Sequence, residues 1–450
     1  MSGTKTLQNA ITEVVREWDT VPLKGISEVY PSNVDKKSSD DEDPVRLCNY
    51  TDVYYNEEIT EDIEFMEATT TEAKANRFRL REGDILITKD SESKDDIGIP
   101  AYVPADFDDV VCGYHLFLIR PDKSSISPRF LFNCLKSRLL QTQFENLANG
   151  VTRYGITTGD AKNVRIPHPD ERSQDQIIDF LSDGETSLNR AMSGFEGISE
   201  LLHSKRKATI RQSVTTGVSD DPTLTDVESG WIDQVPEHWD VVRTRFVAEL
   251  HSGHTPDRSN DEYWEDTDIP WVTTSDIKPF REGRKRYLYE TENQISELGM
   301  DNSGAHLLPE GTVFLSRTAS VGFSGIMGEP MATSQDFANW VCGDELIPEY
   351  LLYVFRSMDQ EFNRLMQGST HQTIYMPDIK SFQTPLPPLE EQREIVDHIE
   401  TETERLWELI DRVEETIDLL EEKRQALITA AVTGQIDVSD VKNEAKASHT

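Results

Sequence analysis

Basic charge is scarce in this 450-residue chain: 45 Lys and Arg face 83 Asp and Glu, a formal net charge of −38. That balance opposes binding to a polyanion unless basic side chains gather on one face. It suits a surface kept soluble at very high salt, so a halophile-type protein is expected; an acidic protein meeting basic partners is the alternative. At high salt, phosphate contacts weaken steeply, and a DNA binder would need groove contacts as well as charge. Cysteine is sparse too. Cys48, Cys112, Cys134 and Cys342 show no CxxC spacing, which argues against a disulfide framework and predicts reduced thiols in a cytoplasmic setting. No run of ~20 apolar residues exists, so no membrane span is expected. The opening MSGTKTLQNAITEVVREWD lacks the apolar centre of a signal peptide.

Catalytic motifs are missing as well. There is no GxxxxGK[ST] phosphate cradle, no Asn/Asp-Pro-Pro-aromatic motif of the kind used in adenine methylation, and no glycine-rich cofactor loop after a strand. Glu421-Glu422-Lys423 has the spacing of a nuclease Glu-x-Lys but falls deep in a charged helical run, where a solvated face explains it. His251-x-x-His254 has no third ligand spaced nearby, so no metal is expected.

What is present is a long heptad. Between the prolines Pro385, Pro387 and Pro388 and the stop at Gly434, no Pro or Gly interrupts the chain. Ile399, Leu406, Val413, Leu420 and Leu427 recur every seven residues, with Ile410, Ile417 and Ala431 in a second row. Roughly 45 residues at ~1.5 Å each predict a rod of ~65 Å, and a seam this narrow asks for a partner helix.

The partner lies in the same chain. Gly150, Thr152, Asp160, Lys162, Pro167, Pro169, Gln174, Ile177, Lys205, Arg206, Ala208, Ile210 and Val214 recur identically 218 positions on (368 − 150), from Gly368 and Thr370 to Val432. The first copy, Glu171 to about Thr216, carries weaker rows at Leu181, Leu188 and Leu202. Gly184, Gly194 and Gly197 predict a bend there.

Upstream of each rod the pattern is mixed. VPLKGISEVY, RLCNYTDV, LREGDILITKD and VVCGYHLFLIRP read as strands, and SPRFLFNCLKSRLLQTQFENLANG as a helix. The same series restarts after Val218: Thr51-Asp52 is answered by Ser275-Asp276, and Glu82-Gly83 by Glu310-Gly311. The expected fold is α+β: two tandem mixed domains, 1–166 and 218–384, separated and joined by helices 167–217 and 385–434. Those helices should pair antiparallel as a pseudo-two-fold coiled coil. A short helix is expected over residues 1–20 and a disordered tail over 435–450.

These stretches resemble the specificity subunit of type I restriction–modification enzymes. The likeness rests on GVTRYGI…NVRIPHPDERSQDQIIDFL and its copy GSTHQTI…FQTPLPPLEEQREIVDHI, on the helix endings KRKATIRQSVTTG and KRQALITAAVTG, and on GWIDQVPEHW opening the second half. The first copy departs at 170–173, where DERS replaces PLEE. The resemblance implies a chain without an active site. Each globular domain would be a target recognition domain for one half of a bipartite DNA sequence. The coiled coil would set the spacing and dock two DNA adenine methyltransferase subunits, with a motor-nuclease subunit joining for cleavage. S-adenosylmethionine, ATP and Mg2+ would belong to those partners, and no cofactor to this chain. A rod of ~65 Å matches roughly 19 base pairs. The rival readings are a fused methyltransferase or nuclease, the recognition subunit of a methylation-only system, and a coiled-coil scaffold without DNA affinity.

Candidate DNA contacts are basic and polar residues on loops after the glycine turns. They are Lys89, Ser91, Lys94, Arg153 and Tyr154 in the first half, and Arg317, Thr318, Ser320, His371 and Gln372 in the second. Arg and Lys suit guanine edges, and Gln suits adenine. Lys89 and Arg317 fall at the same strand end. Arg284-Lys285-Arg286 is a local basic cluster and a candidate phosphate clamp. Gln335-Asp336 reads equally as a structural pair or a base contact.

Overall fold

Each Glu-Gly turn runs into a buried strand, as the sequence predicts. Gly83 (φ +89°) and Gly311 (φ +84°) take the left-handed backbone that a side chain resists. Ile85–Thr88 and Val313–Ser316 follow them as the central strands of their sheets. A computed structural model describes residues 18–366 and 373–438. The helix expected over residues 1–20, the repeat positions Gly368 and Thr370, the candidates His371 and Gln372, and the expected tail from 439 on lie wholly or mostly outside the described residues. The described part of that tail, 435–438, is packed instead of disordered: Val438, 8% exposed, joins the core of the first unit and Ile436 packs against it. The chain divides into one unit of Met1–Phe195 with Glu415–Thr450 and another of Glu196–Glu414.

In the first unit a four-stranded sheet runs in the order Ser27–Pro31, Leu116–Pro121, Ile85–Thr88, Pro100–Tyr102. Beside it, Asp43–Cys48 pairs antiparallel with Met66–Thr70 and parallel with Val110–Cys112. A further pair, Thr20–Pro22 with Arg165–Pro167, closes the unit below its long helix. The second unit repeats this strand for strand. Its main sheet runs Ala248–Ser252, Phe337–Cys342, Val313–Ser316, Ser324–Met327, with Tyr287–Leu288 added at the edge. Ile269–Val272 pairs antiparallel with Asn293–Ile295 and parallel with Ala332–Thr333. Asp240–Arg243 pairs with Gln383–Leu386. The shared Asp52 and Asp276 do one job twice: each carboxylate accepts the backbone N–H three residues upstream, from Asn49 at 2.6 Å and Thr273 at 2.7 Å.

Four segments fold differently from their expectation. VPLKGISEVY is broken by a 3-10 turn at Leu23–Gly25 between the strands Thr20–Pro22 and Ser27–Pro31. VVCGYHLFLIRP is two strands, Val110–Cys112 and Leu116–Pro121, in two different sheets. RLCNYTDV is a strand only to Cys48; Tyr50–Tyr55 is a helix, opened by a capping box between Asn49 and Asp52. SPRFLFNCLKSRLLQTQFENLANG forms two helices, Pro128–Lys136 and Arg138–Leu147. Ser137 separates them, and its hydroxyl accepts the Leu140 N–H as the cap of the second.

The first long helix spans Glu171–Thr216, 46 residues; the second spans Leu389–Val432, 44 residues. No break in the helix falls at Gly184, Gly194 or Gly197, where a bend or irregularity was expected: the first helix is continuous. A glycine costs a helix about 1 kcal/mol but removes no hydrogen bond. Gly184 has a packing reason: an added Cβ would come within 2.9 Å of Leu427. In the first unit Gly184 thus lies beside Leu427, and the Arg424 guanidinium reaches Asn189 at 3.4 Å, so the helix halves run antiparallel. In the second unit Val214 shares a core with Ile395 while His203 meets the Trp407 ring at 5.6 Å, again antiparallel. Of the seam, Leu181, Ile399, Leu406 and Ile410 are buried, whereas Leu188, Leu202, Val413, Ile417, Leu420 and Leu427 are half-buried. A seam between two helices covers less surface than a core shared with a sheet.

The repeated glutamine explains how each long helix is seated. Gln174, 3% exposed, accepts the Ser127 N–H at 2.8 Å and donates to the Pro169 carbonyl at 3.0 Å. Gln392, 0% exposed, accepts the Ile347 N–H at 3.0 Å and donates to Pro387 at 2.9 Å and Glu345 at 2.8 Å. Each amide ties the first turn of a long helix to the residue opening a helix of its globule. Removing it leaves a buried N–H and buried carbonyls without partners, a loss of about 2 kcal/mol. Gln392→Ala is therefore expected to lower unfolding free energy by about that amount in urea titration, while Glu394→Ala, exposed two residues on, should change it by less than about 0.5 kcal/mol.

Candidate nucleic-acid interface

At the end of each central strand the two units share one backbone frame. Lys89 N–H donates to the His115 carbonyl at 2.9 Å, and its carbonyl accepts the Ile156 N–H at 3.2 Å. Arg317 N–H donates to the Asp336 carbonyl at 2.8 Å, and its carbonyl accepts the Ile374 N–H at 2.9 Å. One residue later Asp90 pairs with Gly155, and Thr318 with Thr373. Gly155 and Thr373 are again 218 positions apart.

Different side chains hang on that frame. In the first unit Asp90–Ser91, Tyr154–Gly155 and Asn149–Gly150 form a small sheet, bringing most of the predicted contacts together. Asp90 accepts from Arg153 and faces His115 Nδ1, both at 2.6 Å. Burial pulls the His115 imidazole below its ordinary value, with Asp90 pulling less strongly the other way. The Arg153 guanidinium is more than half exposed, and the Lys94 ammonium sits 5.2 Å from the centre of the Tyr154 ring. Ser91 is buried. Its hydroxyl donates to Asp96 at 2.9 Å and accepts from Tyr50 at 3.2 Å, so it braces the loop instead of facing solvent as expected. Lys89 is likewise turned inward, its ammonium on the Tyr114 carbonyl at 2.5 Å.

In the second unit Arg317 donates to the Gln335 carbonyl at 3.0 Å and the Ile374 carbonyl at 3.4 Å. Both strand-end cations thus hold backbone, a role that fits a side chain with several N–H donors. Thr318 donates to Asp336 at 2.6 Å, as does Ser334 at 3.0 Å, which makes Asp336 structural and leaves the exposed Gln335 amide beside Thr255. Ser320 lies 3.5 Å from the Arg281 guanidinium. The basic cluster is not a free clamp. Arg284 pairs with Asp411 at 2.8 Å and Arg286 pairs with Glu400, both acids on the second long helix. Lys285 lies 5.4 Å from the Phe280 ring centre.

The sequence reading missed Asp90, His115 and the tyrosines Tyr50, Tyr54 and Tyr55. Tyr50 stacks on Tyr54 at 5.6 Å, Tyr54 donates to Asp96 at 3.1 Å, and Tyr55 is 77% exposed. The Asn49–Asp52 capping box was the available signal. Among the described residues no group of three or more His, Cys, Asp or Glu could hold a metal ion, and no helix is long and apolar enough to cross a membrane.

The type I restriction modification DNA specificity domain family matches residues 15–192 and 236–427. The MjaIX specificity subunit of Methanocaldococcus jannaschii is 31% identical over 166 residues, 36% of this chain and 38% of that protein. The putative MjaX specificity subunit of the same organism is 22% identical over 435 residues, 95% of this chain and 96% of that one. The EcoKI specificity subunit of Escherichia coli is 24% identical over 355 residues, 74% and 70% of the two chains. A chain from a solved type I restriction–modification assembly superposes with a TM-score of 0.67 at 19% identity, covering 93% of this chain and 98% of that one, and so shares the fold. With both halves matched, and each half carrying the same strand order, the chain belongs to the type I restriction–modification DNA specificity family.

Proposed function

We propose that each unit reads one half of a split duplex target with the side chains around the end of its central strand. The long helices set the distance between the halves and receive the methyltransferase subunits. The observation that carries this is the shared strand-end frame: identical backbone hydrogen bonds at Lys89 and Arg317, with different side chains around them. One frame with two side-chain sets is what a reader of two unlike half-sites needs. In the first unit Asp90 holds the Arg153 guanidinium in a fixed direction, which favours a guanine edge. In the second the Gln335 amide offers the donor and acceptor that match adenine. The chain orients DNA and does no chemistry on it. Methyl transfer would fall to two methyltransferase subunits with S-adenosylmethionine, and cleavage to a motor-nuclease subunit using ATP and Mg2+. The exposed Leu201, Leu409 and Leu419 on the long helices suit the docking of such subunits.

The direct test is methylation of a random duplex library by the chain purified with its methyltransferase subunit. A bipartite preference is expected; methylation without sequence preference ends the proposal. In the same assay Arg153→Ala should reduce discrimination at one base pair of one half-site by roughly 10- to 100-fold and leave the other half-site unchanged. An unaltered profile would remove Arg153 from the readers.

Spacing gives a second test. Deleting one heptad from each long helix shortens both by ~10 Å. The preferred spacer should then fall by about three base pairs with both half-sites retained. A constant spacer would show that the helices are not the ruler.

A further inference from the structure

The repeat supplies an internal control for one corner of each unit. In the first, Lys136 ends the helix Pro128–Lys136 and is 8% exposed. Its ammonium meets Glu57 and Glu185, both at 2.8 Å. Arg424 on the second long helix joins them, 3.0 Å from Glu57 and 3.0 Å from Glu421. Buried cations are here matched by carboxylates, as burial requires.

The second unit keeps the cations, while the acids Glu185 and Glu421 are replaced at the 218-residue offset by Thr403 and His203. Arg356 ends the equivalent helix Pro348–Arg356, and Arg206 stands 218 positions before Arg424. The position of Glu185 becomes Thr403, whose hydroxyl is turned back to the Ile399 carbonyl at 2.6 Å. Arg356 donates to the carbonyls of Gly283 at 2.8 Å and Lys285 at 2.6 Å. Arg206 is 7% exposed and stacks on Trp407, its guanidinium carbon 4.6 Å from the ring centre; its buried Nε has no hydrogen-bond partner, as is also true of Arg424. Among the described residues neither arginine is ion-paired with a carboxylate. Four carboxylates line the hollows: Asp359 is engaged by Lys207 at 2.8 Å and Glu400 by Arg286, while Glu282 and Glu404 pair with neither Arg206 nor Arg356. Both arginines line two hollows of about 270 and 350 Å³.

We propose that this corner of the second unit binds a phosphate-class oxyanion between Arg206 and Arg356, in the place that carboxylates fill in the first unit. The hollow gives such an ion room, and guanidinium forks match its oxygens in pairs. Burial also pulls Arg206 below its ordinary value, with Asp359 and Glu282 pulling less strongly the other way, and pulls Arg356 down to about 10, a cost that a bound anion relieves.

The test uses the full chain and inorganic phosphate, titrated against chloride at equal ionic strength, with Tm as the readout. At ten times Kd, binding to the native state should raise Tm by about 1.5 °C. Thr403→Glu restores the acid that the first unit has. It should fold, raise the starting Tm and abolish the phosphate-specific rise. Arg206→Gln should abolish that rise as well. No phosphate-specific rise in the wild-type chain, or a full rise in Thr403→Glu, overturns the proposal. Adding a non-cognate duplex identifies the source. Loss of the phosphate response assigns the site to a DNA backbone phosphate, and an unchanged response to a free oxyanion.

Discussion

Two buried glutamine amides hold the construction of each half together. The start of a long helix is set by prolines, which end the preceding strand and forbid helix before them. Prolines alone leave the direction of the rod free. Gln174 and Gln392 remove that freedom, because each amide oxygen must take an N–H at the opening of a globule helix while its nitrogen takes a carbonyl of its own rod. A buried amide with its donors and acceptor engaged tolerates little rotation, since an alternative angle would strand polar atoms in the core. The rod and the strand-end loops are therefore referenced to one rigid body in each unit.

That rigidity separates frame from content. Backbone hydrogen bonds at Lys89 and Arg317 are the same. Around them an Asp–His–Arg cluster in one unit is answered by a Thr–Asp–Ser cluster in the other. His115 and Asp336 occupy the same place, one residue before the strands Leu116–Pro121 and Phe337–Cys342. Each faces the side chain two residues past its central strand, Asp90 or Thr318. A frame that depends on backbone groups lets these letters change without refolding.

Much of this architecture was legible because its signals are periodic or covalent. Heptads, prolines and a fixed 218-residue offset do not depend on tertiary context. Both long helices end within two residues of the expected 217 and 434 and begin four residues after the expected 167 and 385. What escaped depended on partners distant in sequence. Lys89 and Arg317 look like free surface charges until the carbonyls of Tyr114, Gln335 and Ile374 are placed beside them. Arg284 and Arg286 read as a basic patch because Asp411 and Glu400 lie more than a hundred residues away. Gly184 was taken for a weakness, whereas its missing side chain admits Leu427.

The acidic composition then acquires a mechanical sense. A net charge of −38 repels a duplex at long range, so in the reading proposed above contacts to base edges carry more of the binding than phosphate attraction does. Free, swinging cations would supply the first kind of contact. The cations around these strand ends are mostly held: Arg153 by Asp90, Lys89 and Arg317 by carbonyls. A held guanidinium loses less conformational freedom when it meets a base, and it fits fewer wrong geometries. For the reader proposed above, scarcity of basic charge and restraint of the few basic side chains present favour the same outcome, discrimination over raw affinity.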